Sequence, residues 1–409
     1  MFFPSRDILT LRNISTFILV LFCIRYIPLE TRGGPSMVKT AVSALCVFLL
    51  FTKPLKISTP FLLLSLYAVI VFACTYQHPN TFRWSTYFYL LSFIVVYLYF
   101  YNLIVVEHVF SFDYFLKLIQ WLLLVYTIVL LMQQCALIIG IRNLPIINLT
   151  QFLDRGIGAN GLSGEPSSAA RIMSVLFLSM LRLYEIKYGR PLTIKELYLE
   201  AKWPLLGFLW SMTTMGSGTA FIALGLLSFY FIRPQYLFSI VPLLIVLYIA
   251  IPYINWPPLQ RAHSIVEATM TMETETVIDT DGSAASRVVP LINTITKLNV
   301  FDIDTWFGHG IDYTKNMGGY LNKVRGSRIG GIQEYGLLSF IVMQLFVLYC
   351  CIYKFKSIET LFWIFLFSAT FANVAYVWGA MMIFTVVRYF QVQNKNGELE
   401  ITDNNEDEE

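Results

Sequence analysis

Between two apolar runs the chain reads RGIGANGLSGEPSSAARI (155–172), which puts Arg155, Glu165 and Arg171 in one glycine-rich stretch. Pro166 suits the first position of a helix with Glu165 or Gly164 at its cap, so backbone N–H groups and the positive end of the helix dipole lie beside two guanidiniums. Such ground takes an anion, a diphosphate for example. Next to these cations Glu165 is ionised when no anion is bound, and it can accept a proton from a sugar hydroxyl. The same spacing also fits a flexible loop with an acidic helix cap, and both readings stand at this point.

A second group falls in residues 255–335. Arg287 lies in DGSAASRVVPLINTITKL (281–298), where Val288, Leu291, Ile292, Ile295 and Leu298 recur at helical spacing and would hold its guanidinium over a membrane. His309 lies in WFGHGIDY (306–313), and Arg325 and Arg328 lie in NKVRGSRIGGIQEYGLLSF (322–340), just before an apolar run. Arginine forks match diphosphate oxygens bidentately and stabilise the negative charge that develops on a leaving group. Arg325 and Arg328 also fit lipid-phosphate binding near a headgroup plane. His309, between two glycines, is either a turn residue or an acid/base group.

The elements that must position these residues are membrane spans. Of 409 residues, 56% are hydrophobic and only 13% charged, beyond what a soluble core needs. Runs such as TYFYLLSFIVVYLYFYNLIVV (86–106) are apolar over roughly 20 residues, enough for about 30 Å of hydrocarbon, without the alternation of a barrel strand. The fold class expected is therefore an all-α polytopic membrane protein. Its spans read as 14–29, 37–52, 60–75, 85–106, 115–140, 170–185, 203–215, 217–232, 235–254, 336–354, 358–373 and 375–390, twelve transmembrane helices in all. Two short helices in each of 203–232 and 358–390 bring the lysines and arginines of the short loops to one side, which puts both termini in the cytoplasm. The chain then divides into a five-helix segment (1–140), a first outer loop (141–169), central helices (170–254), a large outer loop (255–335), C-terminal helices (336–390) and an acidic, disordered tail (391–409).

Several chemistries drop out. All six cysteines lie in apolar runs, so no disulfide framework is built. No H-E-x-x-H, paired Asp or Cys/His cluster suggests a metal. A nucleotide-sugar enzyme would want a cytosolic domain with a phosphate loop, and none is present. Thr193 and Glu196 form a capping box before an amphipathic run, a short helix lying on the headgroups.

RGIGANGLSGEPSSAARI, the short helix pair around MTTMGSGTAFIALGLL, the FGHGI of the large loop and GGIQEYGLLSF resemble, in order and spacing over about 140–390, the O-antigen polymerase (Wzy) family, which is related to the O-antigen ligases. The resemblance implies a GT-C-like, metal-independent glycosyltransferase without cofactor in the bacterial inner membrane. At the periplasmic face it would move a growing glycan from undecaprenyl diphosphate to a new lipid-linked repeat unit. Its partners would be undecaprenyl-diphosphate-linked oligosaccharide, membrane lipids and a chain-length regulator protein, with no nucleic acid. By position the family's loop arginines fall on Arg155 and Arg287, and its Glu-Pro-Ser element on Glu165, Pro166 and Ser167. Two departures favour polymerase over ligase or protein O-oligosaccharyltransferase: Gly218 stands where an arginine follows the serine of the short turn, and Arg325 to Arg328 stand where ligases carry a histidine. They leave the base open between Glu165 and His309.

A flippase for the same lipid-linked sugars is the rival from another class. Transporters, however, need charged residues lining the bundle at mid-depth, and most spans here are uncharged in the middle. The arginines give the first test. Arg155→Ala and Arg287→Ala should abolish glycan chain growth while the protein stays in the membrane, and Lys at either position should restore it only in part, because the bidentate fork is lost.

Overall fold

The computed structural model describes residues 6–25, 36–51, 57–141, 158–231, 246, 249–254, 257–271, 273–280, 285, 289, 292–293, 296, 298–316, 318–319, 330–368 and 374–399. All regular structure among them is helical. The first half holds α1 (Arg6–Cys23), α2 (Met37–Phe51), α3 (Thr59–Tyr76), α4 (Trp84–Tyr101) and α5 (Phe112–Ile138). After these come α6 (Pro166–Tyr188), a short α7 (Ile194–Glu200), α8 (Lys202–Thr214) and α9 (Gly218–Phe231). The second half holds α10 (Pro257–Met270), α11 (Thr274–Thr280), α12 (Ile303–Phe307), α13 (Gly330–Phe346), α14 (Ile358–Phe362) and α15 (Ala375–Asn396). α4, α13 and α14 each run on into one π turn, at Asn102–Val106, Val347–Cys351 and Trp363–Phe367.

Five helices are long and apolar enough to cross a membrane: Thr59–Tyr76, Trp84–Val106, Phe112–Ile138, Gly331–Cys351 and Ala375–Asn396. Shorter apolar helices join them at Thr10–Cys23, Met37–Leu50, Gly218–Phe231 and Ile358–Phe367. The protein is thus a helical membrane protein. The run expected at 235–254 falls largely outside the described residues.

Several boundaries differ from the hydropathy reading, among them that of α1, which runs Arg6–Cys23 where 14–29 is expected. α6 starts at Pro166, so the first loop ends before 169. α13 starts at Gly330, six residues before the expected 336. α15 continues to Asn396, so 391–396 belong to a helix and not to the tail. Hydropathy sees only the apolar middle of a helix, whereas caps set its ends. Glu165 is extended and Pro166 occupies the first turn of α6, while Gly189 (φ 66°) and Gly397 (φ 73°) end α6 and α15 in the left-handed region. α7 carries the expected capping box, with Thr193 Oγ1 accepting from Glu196 N and the Glu196 carboxylate accepting from Thr193 N. A hydrogen-bonded ion pair with Arg190, reinforced by Thr193, pulls the Glu196 carboxyl down to about 2.

α6 and α15 form the centre of the bundle. α6 packs on α5, α9 and α15, and α15 also touches α1 and α4. α2 lies on α4, α8 on α5, and α13 on α3. One end of the bundle gathers Arg25 beside Ser168, Arg171 beside Tyr376 and His78 beside Asp304. The opposite end gathers Arg12 over the Tyr114 ring, His108 against Tyr389 and the buried Arg182–Glu359 pair.

The large loop is fastened to the first end by main-chain atoms. α13 is kinked at Gly336 (φ 79°, ψ 168°), which frees three consecutive carbonyls. His309 N donates to Gln333 O at 2.9 Å, Gly310 N to Glu334 O at 2.9 Å, and Cys74 Sγ to Tyr335 O at 3.2 Å. A Cβ on Gly336 would stand 2.1 Å from Trp306 O, and one on Gly308 (φ 74°) would stand 2.5 Å from Gly336 N. Backbone therefore meets backbone, and only glycine allows it. Gly336→Ala should destabilise the protein by roughly 2–4 kcal/mol through strain and collision. Gly331→Ala, where a Cβ meets nothing, should be neutral or slightly stabilising. Thermal unfolding of the two variants in detergent checks the contrast.

Candidate functional site

The turn that leads into α6 is packed and pinned. Ala159, Asn160 and Ser163 are fully buried. Gln133 on α5, itself fully buried, holds Gly161 by both main-chain groups: Nε2 donates to Gly161 O at 3.0 Å, and Oε1 accepts from Gly161 N at 2.7 Å. Gly161 has φ 54° and lies over the Tyr126 ring, so its left-handed backbone is matched by a glycine. Arg25 N donates to Leu162 O at 3.3 Å, and the Arg25 side chain lies over Gly164 with Nη1 3.5 Å from Ser168 Oγ. Over residues 158–165 the flexible-loop reading is therefore replaced by a fixed turn.

That turn sets out polar groups at the head of α6. Glu165 takes the cap position and is exposed, yet its carboxylate does not close onto the first-turn N–H groups; it accepts from Ser167 Oγ at 3.3 Å. Arg171 is half-buried, and its Nη1 donates to Tyr376 OH at 2.7 Å, which directs the guanidinium toward the start of α15. Lys39 on α2 is almost wholly buried and donates to Ile24 O at 3.0 Å, at the end of α1 where Tyr126 OH caps Cys23 O. Arg25, Lys39 and Arg171 thus bring cations from three separate segments toward the end of α1 and the head of α6, ground where an anion is favoured.

The second group is built on α12 and the kink of α13. Asp302 caps α12 with its side chain, and Gly308 ends it. The chain then turns across the α3–α4 connection, where Thr81 Oγ1 lies 3.4 Å from His309 O. The His309 ring stacks on Tyr313 with centroids 4.5 Å apart, and its Nδ1 stands 3.5 Å from Asp304 Oδ2. His78 approaches the other oxygen of Asp304 at 4.0 Å. Asp312, nearly buried, pairs with Arg83 at 3.6 Å and accepts from Thr86 Oγ1 at 3.2 Å.

A crevice opens between α3, α13, the π turn after α14 and α15. It is lined by Tyr67, Gly331, Tyr335, Met343, Trp363 and Val377, among others. Tyr335 follows the carbonyl that takes Gly310 N, and Val377 follows the tyrosine that takes Arg171. Deeper along it, Trp363 Nε1 donates to Gln344 Oε1 at 2.6 Å, and the remaining lining is mostly apolar.

Of the residues expected from sequence, Glu165, Arg171 and His309 are placed, with the first two at the head of α6 and His309 on the turn after α12. Arg155, Arg287, Arg325 and Arg328 lie outside the described residues. Next to Arg287 in sequence, Ala285 and Val289 are buried with Ala268 of α10 and Val277 of α11. Sequence reasoning missed Arg25, Lys39, His78 and Asp304. Lys39, a cation inside an apolar run, carried a signal that could have been used. No group of three or more His, Cys, Asp or Glu among the described residues is arranged to hold a metal. Compared with protein families, curated proteins and solved structures, the chain finds no match.

Because Gln133 bonds both main-chain groups of Gly161, Gln133→Leu should cost about 2–4 kcal/mol, the penalty of two unsatisfied buried groups. Glu165→Gln, on an exposed side chain, should leave the unfolding temperature unchanged. Differential scanning fluorimetry of both variants in the same detergent is the check.

Proposed function

We propose that the protein is a polysaccharide polymerase of the bacterial inner membrane. On this reading it is a GT-C-like enzyme with twelve spans and both termini in the cytoplasm, and it elongates an O-antigen or capsule glycan at the periplasmic face. One observation supports it above the others: Arg25, Lys39 and Arg171 bring cations from three segments to the end of α1 and the head of α6. A lipid diphosphate needs cations for its head and an apolar wall for its tail, and the sugar it carries needs a proton acceptor beside it.

The chemistry asks little more of the protein. The acceptor hydroxyl oxygen attacks the anomeric carbon of the growing glycan, its proton passes to a base, and the bond from that carbon to the diphosphate oxygen breaks, with the electron pair leaving on the lipid diphosphate. Arg171 and the head of α6, together with Arg155, Arg287, Arg325 and Arg328 from the loops, would bind the diphosphate and stabilise the charge it gains. Glu165 and His309 are the candidate bases. The diphosphate already activates the donor, so no metal or cofactor enters the scheme.

A flippase is the second reading. It is favoured by Lys39 and by the Arg182–Glu359 pair, ionisable groups packed between helices at the two ends of the bundle. Gel analysis of surface polysaccharide separates the two. Deleting the gene should leave a single repeat unit on the acceptor, the wild-type gene should restore a ladder, and Arg171→Ala at normal expression should not. Complete loss of the repeat from the acceptor would point to the flippase or to a ligase, and an unchanged ladder would remove the polymerase reading.

A further inference from the structure

Asp304 lies between two imidazoles, and this arrangement bears on how His309 could handle a proton. The His309 backbone is fixed by Gln333 O, its neighbour Gly310 by Glu334 O, and its ring by Tyr313. Its Nδ1 faces Asp304 Oδ2 at 3.5 Å, a distance that favours the tautomer carrying its hydrogen on Nδ1 and leaves Nε2 as the basic nitrogen. The pair is loose by hydrogen-bond standards, as catalytic contacts often are before substrate binds. The side chain is about a quarter exposed.

We infer that Asp304 is the positioning residue of an Asp304–His309 pair in which His309 Nε2 takes the proton of the incoming sugar hydroxyl. The inference rests on the polymerase reading and chooses His309 over Glu165 as the base. The hydroxyl O–H bond breaks toward Nε2 as the oxygen bonds to the anomeric carbon and the lipid diphosphate departs with the electron pair of the old bond. The imidazolium so formed is paired with the Asp304 carboxylate, and its proton then returns to water. Among the described residues Glu165 faces no such partner, and its carboxylate accepts from the hydroxyl of Ser167.

Other charges surround the ring. Asp302 caps the same short helix, His78 and Arg83 lie on the facing α3–α4 turn, Asp312 and Tyr313 follow in the chain, and Glu334 is on the kinked α13. Arg83 is engaged with Asp312. Among the described residues His78 also faces Asp304, its Nε2 being 4.0 Å from Oδ1, and so competes with His309 for it. This competition makes opposite predictions for two substitutions.

The chain has four histidines, so 13C-labelled imidazoles of the whole protein in nanodiscs can be followed by NMR and assigned by single His→Gln replacement. Asp304→Asn should lower the titration midpoint of His309 by about one pH unit, because an opposite charge within about 4–6 Å is removed. His78→Gln should raise it by a smaller amount. In parallel, turnover is read with undecaprenyl-diphosphate-linked repeat units extracted from the deletion strain. His309→Gln should lose about 10²–10⁴-fold in kcat. Asp304→Asn should lose about 10–100-fold, with its pH–rate profile displaced to lower pH, and Asp304→Glu should recover part of the rate. A His309 midpoint that is the same in wild type and Asp304→Asn would overturn the pair whatever the turnover. Unequal midpoints with no elongation by the wild type would remove the polymerase reading and leave the pair standing.

Discussion

Inside hydrocarbon a polypeptide has no water to satisfy its N–H and C=O groups, so each break in a helix must be met by a donor or acceptor from elsewhere in the protein. Most of the architecture follows from where the helices break and what meets each break. The kink at Gly336 releases the carbonyls of Gln333, Glu334 and Tyr335, and these are taken by His309, Gly310 and Cys74. The end of α1 releases Cys23 O and Ile24 O, which are taken by Tyr126 and Lys39. The turn before α6 is closed by Gln133. Each break thus becomes a cross-link between distant parts of the chain, and all three lie at the same end of the bundle as the candidate site.

The opposite end is held differently. Arg182 on α6 grips Glu359 with two nitrogens, at 2.8 and 3.0 Å, and Glu185 with a third, while its guanidinium lies 5.5 Å from the centre of the Tyr230 ring. Taking these charges out of water costs several kcal/mol per ion, and their mutual attraction offsets that cost only because the geometry is bidentate. The clasp joins α6, α9 and α14. One end is therefore closed by charge, and the other is organised by main chain.

Much of this was legible in the sequence, but only where the signal is local. The apolar runs revealed the helices because their length is set by the bilayer. Glu165-Pro166 and Thr193-x-x-Glu196 marked helix starts because a cap and its partner lie within a few residues. The kink was not legible: Gly336 stands in EYGLLSF, which reads as a plain span, and what bends it is a turn some thirty residues upstream in the chain. The same holds for the site. Arg171 was visible beside Glu165, whereas its partner Tyr376 is 205 residues away. Asp304 had no signature at all, because its role depends on His78 and His309 meeting it from two elements.

The docking of the WFGHGID segment onto α13 runs through amide and carbonyl groups that every residue type carries. Apart from the glycines that permit the close approach and the buried Ile311 and Asp312, the segment's attachment places little demand on side-chain identity. Its outward-facing residues can then change without loosening the seat on which they ride. A chain built this way can have the loop's exposed chemistry altered, with the geometry of its foundation inherited intact.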